Sequence, residues 1–223
     1  MRRGVAYGHE GFQFFILQLI DWSFTNHAGV QLQHPQTEPF IVNTPITPNN
    51  TSVALYWDFE NLHASLSEER LGEGSYNKPD GRFKLQEPLI DVQAIMDLAR
   101  TYGPIAINRA YCNWQFFGRY REALLQGSVE LVQLFPPGAS AKNGADIRLC
   151  LDAFEDMGRF AHIGTVVIVG GDSDFMPLAQ KLKAAGRTLI GVSDRKSTNV
   201  HWAKSCHAFH YYESLVKTPQ PLP

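Results

Sequence analysis

The chain has 223 residues, 44% of them hydrophobic and 19% charged, and a formal net charge of −2. This suits one α/β domain with an appendage and excludes a chain disordered throughout; the charge balance excludes a uniformly basic nucleic-acid binder and leaves room only for a local basic rim. Three cysteines, Cys112, Cys150 and Cys206, are widely spaced with no C-x-x-C pair, which argues against a zinc site or a disulfide framework and for a reducing, cytoplasmic setting.

Residues 1–51 differ from the rest. The apolar stretch Phe12 to Ile20 follows two arginines. It has about half the length of a membrane span and no A-x-A-like cleavage site after it. It reads as a short amphipathic helix or a poorly ordered extension, with no membrane role expected. "QLQHPQTEPFIVNTPITPNNTS" is rich in Pro, Asn, Gln and Thr and reads as a linker.

Regular patterning begins at residue 52 and runs to 215, with 216–223 as a tail. "SVALYWDF" is a buried strand ending in an acid, and "ENLHASLSEERL" a short helix. "GEGSYNKPDGRFKLQE" is a turn-rich insertion, followed by the helix "PLIDVQAIMDLARTYG" with proline in its first turn and a closing glycine. The strand "PIAINRAYCN", helix "FFGRYREALLQG", strand "VELVQLFP" and helix "NGADIRLCLDAFEDMG" come next. The strand "TVVIVG", helix "DFMPLAQKLKAAG", strand "TLIGVS", short helix "STNVHWAKSC" and edge strand "AFHYYESL" complete the chain. Strands alternating with helices imply a parallel sheet covered on both faces, and ligands of such sheets sit outside the carboxyl ends of the strands.

That rule selects among the acids. Asp58 follows "VALYW", Asp172 and Asp174 follow "VVIVGG", and Asp146 opens the helix "NGADIRL". A single strand-end acid is as often a helix cap as a ligand. Four at one edge, two of them in "GDSD", are harder to read as caps alone, because crowded carboxylates resist ionising together. Hard oxygen ligands without a His/Cys set suit Mg²⁺ or Mn²⁺, which activate water and stabilise charge on a phosphodiester. Asn61, one turn past Asp58, is placed to orient a phosphate or a water. Ser173 lies between the paired acids, and Lys142 precedes Asp146 by four residues, as a phosphate contact or a solvated loop lysine. Arg195 and Lys196 precede Ser197 and Thr198 at an expected helix start, which is an anion site or an ordinary cap.

Other residues are discounted. Asp152 lies six positions after Asp146, about 240° around a helix, and faces elsewhere. Asp91, Asp97, Glu155 and Asp156 read as solvated helix residues and Asp194 as a turn residue. Trp57, Trp114, Phe116 and Phe117 read as core, with "NWQFF" at 113–117 the best candidate for base stacking. His201, His207 and His210 have poor metal spacing.

The segments "YWDFENL" (56–62), "KNGADIRLCLDAF" (142–154), "VVIVGGDSDFMPLAQKLKAAGRTLIGV" (166–192) and "RKSTNVHWAKSCHAFHYYESL" (195–215) together resemble the NYN domain family, within the PIN-like group and nearest its LabA-related bacterial branch. The resemblance covers roughly residues 52–215. It implies a Rossmann-like α/β/α sandwich and a Mg²⁺- or Mn²⁺-dependent ribonuclease, with Asp58, Asp146, Asp172 and Asp174 as its acids, Asn61 beside the first, and Asp152 matching a further acid of the helix motif. It also implies RNA as substrate and association with a second copy or a protein partner. One departure is Cys206-His207-Ala208-Phe209, where relatives often carry an acid after the cysteine.

Two other functions fit parts of the pattern. One is a catalytically silent, RNA-binding or regulatory PIN-like protein. The other is a phosphatase of the haloacid-dehalogenase type, but its chemistry needs a second aspartate two residues after the first, and Glu60 stands there.

Overall fold

Strand β1 (Ser52–Asp58) is apolar along its length, and residues 53–57 are buried on both of its faces. Such a strand belongs in the middle of a covered sheet. The computed structural model, which describes residues 52–135 and 144–216, places it there. Six strands form one all-parallel sheet in the order β3-β2-β1-β4-β5-β6. The others are β2 (Ile105–Cys112), β3 (Glu130–Gln133), β4 (Ile163–Val169), β5 (Thr188–Ser193) and β6 (Ala208–Tyr211).

Side chains alternate across the sheet, because successive Cβ atoms point to opposite faces. Val53, Leu55 and Trp57 join α1 (Phe59–Leu71), α3 (Val92–Thr101) and α4 (Arg121–Gln126) in one core. Ala54 and Tyr56 join α5 (Gly144–Arg159), α6 (Met176–Ala184) and α7 (Val200–Ser205) in the other. The result is the α/β/α sandwich expected from the sequence. A single turn, α2 (Pro79–Arg82), lies inside the insertion. The segment expected as one helix over 116–127 splits into two 3₁₀ turns, Trp114–Phe116 and Gly118–Tyr120, before α4.

Two discounted acids are structural, and neither is solvated. Asp156 is buried; it accepts from the Tyr56 hydroxyl at 2.8 Å and pairs with Arg109, which also holds Glu130. Asp194 is buried and accepts from the hydroxyls of Ser65 and Ser197 and from the Ser197 N–H. Asp91 is the N-cap of α3, accepting from the Ala94 N–H at 3.0 Å.

The insertion is tied to the core through a histidine. The Tyr120 hydroxyl accepts from the N–H groups of Leu89 (2.6 Å) and Ile90 (3.0 Å), so its own proton goes to His63 Nδ1 at 2.9 Å. The imidazole proton is therefore on Nε2, which donates to Gln86 Oε1 at 3.1 Å. The Gln86 amide donates in turn to the carbonyls of Gly81 and Lys84, and its backbone N–H to that of Phe116. Burial pulls the His63 pKa below its usual value, against an opposing pull from the Gln86 hydrogen bond and from Glu60. The unfolded chain therefore takes up this proton first as pH falls. His63 contributes no pH dependence above about pH 6.5, and the protein loses stability as pH drops from there toward the folded-state pKa. NMR titration should give a His63 midpoint below that of an exposed histidine, with the Nε2–H tautomer above it. A midpoint above the usual value would contradict the network.

Candidate metal centre

Strand order reverses between β1 and β4: β2 and β3 lie beyond β1, while β5 and β6 lie beyond β4. Connections leaving the carboxyl ends of these two neighbours diverge and open a crevice. Asp58 is the last residue of β1, and Asp172 and Asp174 lie in the turn after β4. Helix α5 follows β3, so its first turn, with Asp146, starts from the same edge.

The two glycines ahead of Asp172 are required by close packing. A β-carbon on Gly170 would stand 2.7 Å from the Phe175 ring, and one on Gly171 would stand 2.8 Å from both Ser193 Oγ and the Ser197 carbonyl oxygen. The carbonyl of Gly170 accepts from Trp202 Nε1 at 2.8 Å, and that of Gly171 from the Asn199 N–H at 2.9 Å. The turn is thus clamped by the start of α7. Asp172 Oδ1 accepts from the Asp174 N–H at 3.0 Å and the Ser173 hydroxyl at 3.3 Å. Asp172 is therefore a cap as well as a member of the acidic group.

Asp146, Asp172 and Asp174 each bring a carboxylate oxygen within 4.8 Å of the other two. Asp58 stands deeper, 3% exposed, with its carboxyl close enough to that of Asp146 to share a proton. Burial, and then Asp146, push the Asp58 pKa well up; the Asn61 N–H lowers it but forms no full cap hydrogen bond. Burial, with Asp172 and Asp174, also raises that of Asp146. Asp146 is 7% exposed, and its Oδ1 is buried with no hydrogen-bond partner among the described residues. A buried acceptor without a donor, among three convergent acids, fits a hard divalent cation. Oxygens on one Mg²⁺ are about 3–4 Å apart, so a small inward turn of these carboxylates would bring them to coordinating distance.

The remaining sequence candidates are placed less centrally. Asn61 is half-buried in the first turn of α1. Ser197 lies against Gly171, but its N–H and hydroxyl both turn to Asp194. The expected helix start at Ser197 and Thr198 is corrected: α7 begins at Val200, capped by Asn199, because Asp194 already organises the preceding turn. The Arg195 guanidinium lies over the Tyr211 ring at 4.3 Å, and the Arg195 backbone N–H donates to Glu213. Lys196 is exposed. Lys142 is outside the described residues. Asp152 is not one of the three convergent acids; it accepts from the Tyr111 hydroxyl at 2.9 Å and pairs with Arg148.

Arg82 and Phe83 of the insertion escaped the sequence reading, and Glu60 entered it only as the residue that argues against a phosphatase. Glu60, in the same turn as Asn61, accepts from Arg82 Nε at 2.7 Å and Tyr76 Oη at 3.2 Å, both from the insertion. It is therefore held by a cation, whereas phosphatase chemistry would need a free acid at this position. Phe83, exposed, meets Phe116 edge-to-face at 5.7 Å, with the Arg82 guanidinium 5.9 Å from its centroid. Only the Phe116 half of that pair had a signal in the sequence, in "NWQFF". The three free cysteines have pKa values raised by burial; that of Cys150, beside Asp146 and Asp174, is pushed up to about 11.

Residues 52–213 match the NYN domain. The chain belongs to the NYN domain family. It is 31% identical over 101 residues to an uncharacterised protein of Methanocaldococcus jannaschii, a match covering 45% of this chain and 39% of that protein. A crystal structure of a protein of unknown function from Vibrio parahaemolyticus shares the fold with a TM-score of 0.54 and 17% identity, over 74% of this chain and 94% of that one. Among the described residues no helix is long and apolar enough to cross a membrane. In this NYN chain, then, a family fold carries an aspartate trio that could hold a metal ion.

Neutralising one crowded acid should stabilise the metal-free protein and remove its response to metal. In chelator, Asp146→Asn is expected to melt a few degrees higher, its amide donating to Asp58; about 1 kcal/mol corresponds to ~2–4 °C at this size. Mn²⁺ should raise the melting temperature of the wild type and leave the variant nearly unchanged. A wild type indifferent to Mn²⁺ and Mg²⁺ would contradict the site.

Proposed function

We propose that this chain is a Mg²⁺- or Mn²⁺-dependent endoribonuclease that hydrolyses RNA phosphodiester bonds in the cytoplasm. The observation that carries the reading is the convergence of Asp146, Asp172 and Asp174 at the switch point of an NYN fold, with a buried Asp146 oxygen that has no hydrogen-bond partner among the described residues. Asp146, Asp172 and Asp174 would hold the cation, with Asp58 behind Asp146 completing the acidic set. A divalent cation there would lower the pKa of water and offset charge on the phosphodiester.

The other roles belong to the chain. The Asp172 cap and the clamp on Gly170 and Gly171 hold the acids before substrate arrives, so little reorganisation is needed during reaction. Asn61 orients the scissile phosphate. Arg82, anchored on Glu60, offers its remaining N–H groups to a neighbouring phosphate. Phe83 and Phe116 present an aromatic surface on which an unpaired base can stack. Ser173, Arg195, Lys196 and Lys142 are retained as contacts to the RNA backbone, whereas Ser197, which gives both its donors to Asp194, is not.

Asp172→Ala should abolish Mn²⁺-dependent cleavage of a mixed RNA pool, while circular dichroism shows an intact fold. Full activity in that variant, or equal activity of the wild type in chelator, would overturn the assignment.

Phe83→Ala is expected to weaken binding of single-stranded RNA by ~1–3 kcal/mol, roughly 5- to 150-fold, seen in KM more than kcat. An unchanged KM would remove Phe83 from the RNA path.

A further inference from the structure

Helix α5 buries Leu149, Ala153 and Met157 against the sheet. Its outer side is not polar. Ile147, Leu151 and Phe154 are 60%, 61% and 56% exposed, and their spacing puts them within an arc of about 60°. The stripe runs into a groove of about 370 Å³ whose other wall is α6, through Pro177 and Lys181, and whose lining reaches Asp146 and Asp174. Three large apolar side chains continuous with an apolar groove mark a surface that is covered in use.

The charges beside the stripe indicate by what. Arg148 and Glu155 lie seven residues apart on one flank of it, both exposed, each with an ion-pair partner on its own helix, Asp152 and Arg159. The opposite flank is the α6 side, with Lys181. We propose that this face binds the same face of a second copy of the chain, with the two α5 helices antiparallel. In that arrangement a two-fold axis crosses the pair near Leu151, and each flank of one helix lies beside the same flank of the other. Arg148 then meets Glu155 of the partner subunit, and the contact occurs twice. Leu151 meets its own counterpart, and Ile147 packs near Phe154 of the partner subunit. A parallel pair would set the Arg148–Glu155 flank against the Lys181 flank and lose one of these matches. Self-complementary charge about a central apolar residue is what an isologous contact requires. The stripe adjoins Asp146 and Asp174 along the same groove, but the contact uses neither acid, so dimer formation does not depend on RNA cleavage.

Sedimentation velocity of the full-length chain over a concentration series tests it. The wild type should be a dimer at the upper concentrations. Leu151→Glu should be monomeric with unchanged circular dichroism, because residue 151 is on the surface. Arg148→Glu and Glu155→Arg should each weaken the dimer by roughly tenfold or more, and the double swap should restore it. Leu151→Cys in a Cys150→Ser background should form a cross-linked dimer on oxidation. A chain that is monomeric throughout, or a dimer untouched by Leu151→Glu, would overturn the proposal. So would a monomer in which Leu151→Glu instead abolishes RNA binding, since the face would then belong to RNA. A charge swap without rescue would overturn the antiparallel pairing.

Discussion

The repulsion among Asp58, Asp146, Asp172 and Asp174 is the constraint around which this edge of the sheet is built. Two of these side chains are almost fully buried, and burial alone already disfavours charge on them. A fold that needed only stability would place neutral groups there. This one closes the loop with Gly170 and Gly171, caps it with Asp172 and braces it with Trp202 and Asn199. Each of these devices keeps mutually repelling groups together. Such strain is characteristic of a functional centre, where a cation relieves it.

Topology makes the meeting possible. The four acids come from three segments separated by many residues, yet β1 and β4 are hydrogen-bonded neighbours, and α5 starts from the same edge. The crevice between diverging connections is the one place on such a sheet where backbone leaves room for a ligand. On the β2 side, the insertion adds Arg82 and Phe83, held through Glu60, Phe116 and the His63–Gln86 network. The insertion is thus fixed to the core at one end of the network and borders Glu60 at the other.

The sequence revealed the sheet and its covering helices clearly, because strands buried on both faces appear as uninterrupted apolar runs. It also pointed to the edge at which Asp58, Asp146, Asp172 and Asp174 lie. It was silent where the decisive partner is distant in the chain. Asp156 read as solvated because Tyr56 lies 100 residues away, and Asp194 read as a turn residue because Ser65 lies 129 away. Ser197 and Thr198 carry the residue types of a helix cap, yet Asp194 takes their hydrogen bonds and Asn199 caps the helix. The insertion has no period to read, so Arg82 and Phe83 had no signal. Asp152, discounted on helix geometry yet matched by the family's helix motif, accepts from Tyr111 and pairs with Arg148 and is not one of the converging trio.

The central claim is that acids from separate segments of an NYN fold converge to bind a hard cation. Anomalous diffraction from a crystal soaked in Mn²⁺, collected above the manganese edge, tests it most directly. The account predicts a peak coordinated by Asp146, Asp172 and Asp174 at about 2.0–2.3 Å. A crystal with no peak there, or with manganese bound only elsewhere on the chain, would contradict it.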